Sequence, residues 1–309
     1  MSHSFFSQLV DTLDKNLKCR VAIPLANDDA CAYAVCHAIK TGILQATLIG
    51  DPEQIRLMYG DVAANENVTI IDVRDEKAAC ARSVKEVREG RCDILMKGLV
   101  ATSTLLKSVL SSTEGLRQNP LLSHLTFFEF PGRPGLKILT DAAMCIAPDA
   151  ETIKKEIDNA VEAFALFNNR EIKVALLAAN EKVSAKMPST VLAETVVKTL
   201  TNKDNVCVEG PISFDLAVSE ESARIKKYHG KIQGDADIFV VPRLETGNAF
   251  YKSLQYYVKA SMGGLLYGAK CPVVLTSRAD DNDTKFNSLL LGIALWQKAQ
   301  HQTTMQAAS

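Results

Sequence analysis

A serine and an arginine at the end of a short apolar run are the best-placed residues for chemistry in this sequence. Ser277 and Arg278 close the run at residues 271–276, and acidic residues at 280–283 precede an apolar helical pattern from Phe286. The pattern predicts a hydroxyl and a guanidinium at the carboxyl end of a strand, beside a helix N-terminus. Ligands of open α/β sheets bind at that edge, and an arginine next to free N–H groups attracts phosphate or a developing oxyanion. The sequence therefore predicts an anion-handling active site.

Several other segments extend this motif into a pattern that resembles the phosphate acetyl/butyryltransferase family. The segments near the C-terminus are residues 237–242, 245–248, Lys252 and 272–278. Segments nearer the start resemble the butyryl branch more than the acetyl branch: residues 95–100, 122–124, 139–143, 146–149 and 186–190. The resemblance covers nearly the whole chain, and the order and spacing of the segments carry it.

The resemblance implies an acyltransferase. Such an enzyme moves a short acyl group, with butyryl foremost, between coenzyme A and inorganic phosphate by direct transfer in a ternary complex. Arg278 would then bind phosphate and the transition state, and Ser277 would hydrogen-bond the reacting sulfur or carbonyl. Coenzyme A is a substrate, no metal or redox cofactor is required, and a homodimer or larger homo-oligomer is expected.

Three alternatives remain open at this stage. A phosphate acetyltransferase shares the motifs. A metal-dependent isopropylmalate-type dehydrogenase would need clustered carboxylates, which do not stand out apart from the helix-start run. A non-catalytic acyl-CoA-binding protein is the third alternative, because the general base is in doubt.

The general base is where the sequence departs from the family pattern. Members of the acetyl branch carry an aspartate seven residues after the motif serine, and this chain has Thr284 there. Threonine cannot take a proton from a thiol at neutral pH. Asp283 or Asp280 could replace the missing carboxylate through a shifted loop, but helix capping explains Asp283 equally well and explains Asp281 better. We take Asp283 as the candidate base.

Other polar residues near predicted strand ends are candidates for substrate binding, because such ends converge on the ligand-binding edge. Capping explains Asp141 equally well, and a single histidine such as His124 is more often structural. Gly247 lets the backbone approach a ligand closely, and Asn248 can orient a carbonyl. The full set of candidates is Lys97, Arg117, Ser123, His124, Thr140, Asp141, Gly247 and Asn248.

Apolar runs of strand length alternate with helical patterns along the chain. This alternation predicts an α/β protein of two doubly wound, largely parallel-sheet domains, and the resemblance adds an isocitrate/isopropylmalate dehydrogenase-like architecture with an interdomain cleft. Pro148 restrains the chain and Asp149 can cap the helix after it, so a boundary is expected there. We assign residues 1–149, with a returning segment of about 268–309 implied by the resemblance, to the first domain and 150–267 to the second. A helix is expected from Thr246 to about Met262.

Composition argues against other classes of function. Basic and acidic side chains number 35 and 36, with no basic stripe, so nucleic-acid binding is not expected. The longest apolar stretch, residues 289–296, is far below the roughly 18 residues of a spanning helix, so no membrane association is expected. The first eight residues lack a secretory pattern, and a cytoplasmic location is expected. The eight cysteines form no CxxC pair, so we expect reduced core thiols, no metal site and no cysteine nucleophile.

Overall fold

The computed structural model describes residues 4–133, 135–201 and 203–307, with side chains described as far as residue 302. The chain forms two compact units. Unit 1 comprises the described residues of Met1–Pro120 and Ser261–Ser309, and unit 2 comprises those of Leu121–Ala260.

Helices and strands alternate in both units. The first part of unit 1 contains α1 (Phe5–Thr12), β1 (Cys19–Pro24), α2 (Asp29–Lys40), β2 (Leu44–Gly50), α3 (Pro52–Tyr59), a 3₁₀ turn (Gly60–Ala64), β3 (Val68–Asp72), α4 (Glu76–Arg88), β4 (Ile94–Met96) and α5 (Thr102–Val109). Unit 2 contains β5 (Ser123–Glu129), β6 (Lys137–Thr140), α6 (Ala150–Ala165), β7 (Ile172–Leu177), α7 (Pro188–Thr199), β8 (Val206–Ile212), α8 (Phe214–Val218), α9 (Glu220–Ile225), β9 (Ile238–Val240), α10 (Leu244–Ser253) and a π-helical turn (Leu254–Val258). Unit 1 is completed by β10 (Ser261–Tyr267), β11 (Val273–Val274) and α11 (Asn282–Ala307).

Aspartate side chains begin several of the helices. Asp28, Asp75 and Asp149 each accept the backbone N–H three residues ahead at 2.8 Å, which satisfies one of the donors that a helix start leaves open. Asp149 therefore caps α6, as predicted.

The sheet in each unit is mixed. In unit 1 the strand order is β3-β2-β1-β4-β11-β10, and every neighbouring pair is parallel except the antiparallel pair β11–β10. In unit 2 the order is β5-β6-β9-β7-β8, and only the β5–β6 pair is antiparallel.

The predicted class of two doubly wound, largely parallel-sheet domains with an interdomain cleft is therefore wrong. The fold is α/β, but the sheet in each unit is mixed and includes one antiparallel pair. The cause is local, because the connection from Glu129 to Lys137 is too short for a parallel crossover of about a dozen residues or more. Such a short connection gives a hairpin.

The units also divide at a different place from the predicted boundary. Residues 121–149 were assigned to the first domain, but they lie in unit 2. Strand pairing accounts for this, because β6 pairs in parallel with β9, where Leu139 lies opposite Phe239. Residues 261–267, assigned to the second domain, lie in unit 1.

The helix expected from Thr246 to about Met262 is interrupted. It ends at Ser253 and continues as the π-helical turn, after which Lys259 adopts a left-handed conformation with φ +53°. The chain then enters β10, which sequence analysis missed. Gly263 lets this strand lie close to α11, because a Cβ would be only 3.0 Å from the backbone nitrogen of Ser288, closer than ordinary van der Waals contact.

Buried apolar side chains form a core in each unit. Val21, Leu48 and Ile94 are fully buried in unit 1. Unit 2 contains a cluster of phenylalanines whose neighbouring ring centroids are 5.0–6.4 Å apart, a favourable range for edge-to-face packing. The cluster comprises Phe128, Phe130, Phe214, Phe239 and Phe250. No helix among the described residues is long and apolar enough to cross a membrane.

Candidate active site

Three parallel strands of unit 1 end side by side at the edge predicted to handle anions. β4 lies between β1 and β11, so their carboxyl ends meet at the same edge of the sheet. The Lys97 N–H donates to the Val274 carbonyl at 2.9 Å, and the Leu99 N–H donates to the Leu25 carbonyl at 2.9 Å. These bonds fix the backbone on both sides of the Lys97 side chain.

Gly98 allows these strand ends to approach each other closely. A Cβ at this position would lie 2.2 Å from the Pro24 carbonyl oxygen and 2.6 Å from that of Leu25. No side chain fits in that space, so position 98 requires glycine.

The acidic stretch before α11 shapes the turn that carries Ser277 and Arg278. A carboxylate oxygen of Asp280 accepts the Ser277 N–H at 2.7 Å, and the Asp281 carboxylate accepts the Thr284 N–H at 2.8 Å. Asp281 is therefore a helix cap. Asp283 lies exposed in the first turn of α11. Arg278 is exposed, whereas Ser277 is half-buried.

Cationic side chains gather beside this turn. Lys285 Nζ lies 2.7 Å from Asp28 Oδ1, and this ion pair joins the first turn of α11 to the start of α2. Lys97 is only 5% exposed, and its Nζ lies 3.5 Å from the Gly98 carbonyl. We refer to Lys97, Arg278 and Lys285, with the Asp28 carboxylate, as the cation cluster.

The electrostatics of the cation cluster are unbalanced. Burial lowers the pKa of the Lys97 ammonium, and the charges of Arg278 and Lys285 lower it further, with only partial compensation from Asp28. Arg278 also acts on Glu76, whose pKa is lowered mainly by hydrogen bonds from Thr104 and the Ala101 N–H. Asp28, and Glu76 through its interaction with Arg278, offset only part of the positive charge of the three cations, so the cluster favours a bound anion.

Lys285 is the member of the cluster that sequence analysis missed. A lysine in the first turn of a helix opposes the positive end of the helix dipole, so it is unfavourable without a reason elsewhere. This unfavourable position could have identified Lys285 as a candidate from the sequence. Its partner Asp28 both caps α2 and binds Lys285.

Four of the predicted binding residues lie together in unit 2, around Asp141. One carboxylate oxygen of Asp141 accepts the His124 N–H at 2.8 Å, and the other accepts the N–H groups of Ala143 and Met144 at 2.7 Å each. The Ser123 hydroxyl accepts a hydrogen bond from Asn159 at 3.0 Å. These residues and Thr140, next to Asp141, are buried, so the arrangement ties β5 to the loop after β6.

Cys145 and Glu156 lie next to Asp141. Burial raises the pKa of the Glu156 carboxyl to about 8, with a contribution from the Asp141 charge. Burial also raises the pKa of the Cys145 thiol, and Asp141 and Glu156 raise it further. A thiol that keeps its proton is a poor nucleophile.

The remaining predicted residues have separate surroundings. A Cβ on Gly247 would lie 2.4 Å from the Asp141 carbonyl oxygen, so its close backbone approach is to the protein itself. Asn248 is exposed on α10. Arg117 is exposed and forms an isolated backbone bridge with Ala269 in unit 1.

Unit 2 also contains an apolar cavity of about 640 Å³. It lies at the carboxyl ends of β7 and β9, and Leu177, Phe130, Phe214 and Phe250 contribute to its walls. The position and lining are typical of a ligand pocket.

Comparisons with known proteins place the chain in a family. A family model described as phosphate acetyl/butaryl transferase matches residues 77–293. A phosphate butyryltransferase from Clostridium acetobutylicum is 37% identical over 295 residues, which cover 94% of this chain and 97% of that protein. A phosphate acetyltransferase from Rhizobium meliloti is 36% identical over 269 residues, or 84% of each chain.

A solved structure with a similar fold supports the same family assignment. The crystal structure of a branched-chain phosphotransacylase from Enterococcus faecalis V583 matches with a TM-score of 0.80 and 37% identity, covering 90% of this chain and 99% of that one. This match and the mixed sheets replace the dehydrogenase-like class predicted above. The chain belongs to the phosphate acetyl/butyryl transferase family and is a phosphate acyltransferase.

Proposed function

We propose that the enzyme transfers a short-chain acyl group, with butyryl foremost, between coenzyme A and inorganic phosphate by direct transfer in a ternary complex. The observation that carries this proposal is the cation cluster of unit 1. It combines three cations, one carboxylate and the N-terminus of α11 at the carboxyl ends of parallel strands.

The cluster suits a phosphate dianion. A buried ammonium such as that of Lys97 is costly unless an anion approaches it, and Lys285 is already paired with Asp28. Arg278 adds a planar donor that matches phosphate oxygens or a tetrahedral oxyanion. We assign phosphate binding to Lys97 and Arg278, and stabilisation of the oxyanion to Arg278.

The reaction needs proton transfer at sulfur. A phosphate oxygen attacks the thioester carbonyl, the C–S bond breaks, and the departing thiolate takes up a proton; the reverse reaction removes that proton again. We assign this transfer to Asp283, because Asp280 and Asp281 are occupied with the backbone N–H groups of Ser277 and Thr284. Ser277 is assigned a hydrogen bond to the reacting sulfur or carbonyl.

The other candidate residues divide by exposure. We propose that Arg117 and Asn248, which are exposed, contact coenzyme A. The buried residues of unit 2 act indirectly, by holding the loop after β6 in position. They are Ser123, His124, Thr140, Asp141 and Gly247.

The preference for butyryl is supported by the segments that resemble the butyryl branch and by the similarity to the phosphate butyryltransferase described above. Phosphate acetyltransferase activity is the alternative.

Other features of the proposal concern cofactors and location. The transfer as written needs no metal or redox cofactor, and coenzyme A takes part as a substrate. All eight cysteines are free thiols, which supports a reducing compartment such as the cytoplasm. A homodimer or larger homo-oligomer stays a prediction.

The test compares initial rates of thiol release with acetyl-, propionyl-, butyryl- and branched acyl-CoA, each with and without inorganic phosphate. We expect strictly phosphate-dependent release with the highest kcat/KM for butyryl-CoA. A higher kcat/KM for acetyl-CoA would favour the acetyl alternative. Release that does not depend on phosphate would contradict the proposed reaction.

A further inference from the structure

Three acidic groups come together in unit 2, in a cluster that the acyl transfer does not use. The Sγ of Cys145 and one carboxylate oxygen each of Asp141 and Glu156 all lie within 4.8 Å of one another. We refer to these three residues as the acid cluster. Asp141 and Cys145 belong to the loop after β6, and Glu156 projects from α6.

Glu156 is the least expected member. Its side chain is fully buried, and neither carboxylate oxygen has a hydrogen-bond partner among the described residues. Burying an unpartnered polar group costs free energy, so native proteins nearly always satisfy such groups. One of the two oxygens lies within 4.8 Å of both the Cys145 sulfur and an Asp141 carboxylate oxygen, and these groups supply no positive charge.

No positive charge from the described residues accounts for the cluster. The charges that raise the pKa of the Cys145 thiol are those of Asp141 and Glu156, and the charge that raises the pKa of the Glu156 carboxyl is that of Asp141. His124 reaches Asp141 through its backbone N–H, while its ring lies 3.4 Å from the Thr126 hydroxyl. The cluster therefore needs either retained protons or a cation.

Asp141 is held in the manner of a metal ligand. Its carboxylate accepts three backbone N–H groups, which fix its orientation, and metal-bound carboxylates are commonly held by such outer hydrogen bonds. The oxygen that accepts only the His124 N–H keeps a second acceptor site.

We propose that Asp141, Cys145 and Glu156 bind a divalent cation of intermediate softness, for which Zn²⁺ is the best fit. A sulfur ligand disfavours Mg²⁺ and Ca²⁺, whereas Zn²⁺ accepts sulfur together with carboxylate oxygen. With Zn–S of about 2.3 Å and Zn–O of about 2.0–2.2 Å, tetrahedral ligands lie about 3.3–3.8 Å apart. Binding therefore needs the three atoms to approach one another by about 1.5 Å at most from their upper separation of 4.8 Å.

The bound ion replaces the protons of the thiol and the carboxyl, which pass to solvent. Cys145 is half-buried, so water can occupy the fourth position. The ion would tie the loop after β6 to α6 and has no part in acyl transfer.

The experiment uses the full-length chain, stripped of metal and incubated with Zn²⁺, after which gel filtration removes the unbound ion. We expect the wild type to retain about one Zn²⁺ per chain by mass spectrometry. Cys145→Ala and Glu156→Gln should each lower the affinity by on the order of tenfold to a hundredfold. Cys36→Ala is the matched control, because Cys36 is also partly exposed but lies on α2 outside the cluster.

Cobalt substitution gives a second readout that is independent of activity. Co²⁺ bound to a thiolate shows a sulfur-to-metal charge-transfer band, which Cys145→Ala should abolish and Cys36→Ala should keep. Glu156→Gln nearly preserves the shape of the side chain, so it remains informative if the cysteine variant folds poorly.

Three results would overturn the proposal. If the wild type retains no Zn²⁺, the acid cluster holds protons instead. Equal retention by the wild type and both cluster variants would place the ion elsewhere on the chain. Retention of Mg²⁺ or Ca²⁺ that does not depend on Cys145 would remove sulfur from the ligand set.

Discussion

The cation cluster of unit 1 and the acid cluster of unit 2 both lack compensating charge, but the excess charge is positive in the first and negative in the second. Each places charged or ionisable groups of one sign in a mostly buried setting with too few partners of the other sign. The cation cluster lies at strand ends beside a helix N-terminus, where an anionic substrate can reach it. The acid cluster is enclosed by a loop and a helix, so it suits a small ion or protons.

Asp237, also in unit 2, shows what a balanced buried charge looks like. It is fully buried, but Arg170 lies 2.6 Å from its carboxylate and Lys137 lies 3.6 Å away. The Lys173 N–H donates a further hydrogen bond at 3.0 Å. A charge satisfied within the chain points to structure, whereas an unbalanced cluster points to a ligand.

The largest expected effect tests whether the cation cluster is catalytic. Arg278→Gln should lower kcat by on the order of 10²–10³, because a charged donor to the developing oxyanion is lost. Arg56→Gln, which changes an exposed arginine on α3, is the matched control. Steady-state rates on both variants, with circular dichroism to check folding, decide the result. Near-normal turnover in folded Arg278→Gln would contradict the assignment of Arg278 as a catalytic residue.

The next effect separates the base from the cap. Asp283→Asn should lower kcat by about 10²-fold, since a general base contributes at least that much. Asp281→Asn removes the carboxylate that caps α11, so it should cost about 1 kcal/mol of stability and little turnover. Rates and melting temperatures are measured together. If both variants keep full activity, the thiol proton leaves by another route.

A smaller effect compares two lysines of the cation cluster. Lys97→Met should raise the KM for phosphate about 10- to 100-fold, because a charged hydrogen bond to the substrate is lost. Its Tm should not fall, since Lys97 has no carboxylate within ion-pair distance among the described residues. Lys285→Met, in contrast, leaves Asp28 unpaired and should destabilise the fold by about 3–5 kcal/mol. An unchanged phosphate KM in Lys97→Met would remove this residue from the site.

The pH dependence of the KM for phosphate gives a further test of Lys97. The pKa of Lys97 is lowered from its ordinary value of 10.5, so the free enzyme loses this charge at a lower pH than an ordinary lysine would. The phosphate KM should therefore rise as pH increases through that lowered pKa, below 10.5. Lys97→Arg keeps its charge at all these pH values and should remove the rise. A rise that persists unchanged in Lys97→Arg would show that another group is responsible.

Much of the fold was readable in the sequence, and the errors have identifiable causes. Asp149 caps the start of α6 as predicted, because capping is a local interaction. Strand direction depends on partners far along the chain. The antiparallel strand β10 was missed because the predicted helix extended to about Met262, whereas the helical conformation ends before Lys259. The β5–β6 hairpin, however, was open to prediction from its short connection alone.

Among the candidate site residues, too, those marked by a local sequence pattern were predicted and those that depend on tertiary packing were not. Arg278 and Lys97 were found because they directly follow strand patterns. Lys285 and Glu156 were not, since each lies on a helix face where a charged residue is ordinarily solvated. Only the packing of α11 against α2, and of α6 near the loop after β6, reveals that both side chains are buried. Tertiary burial, which no local pattern encodes, turns these two residues into functional candidates.

The smallest expected effect concerns Cys145, where the two clusters make opposite demands. A nucleophilic cysteine needs a lowered pKa from a neighbouring base or cation, but the acid cluster raises the pKa of Cys145. Direct transfer needs no enzyme nucleophile, because phosphate or the thiolate attacks the acyl carbon itself. Cys145→Ala should therefore keep kcat within about twofold of wild type, and double-reciprocal plots should intersect. Parallel lines, or an acyl group trapped on Cys145, would establish a ping-pong route through the acid cluster and end the separation of the two clusters into catalytic and structural.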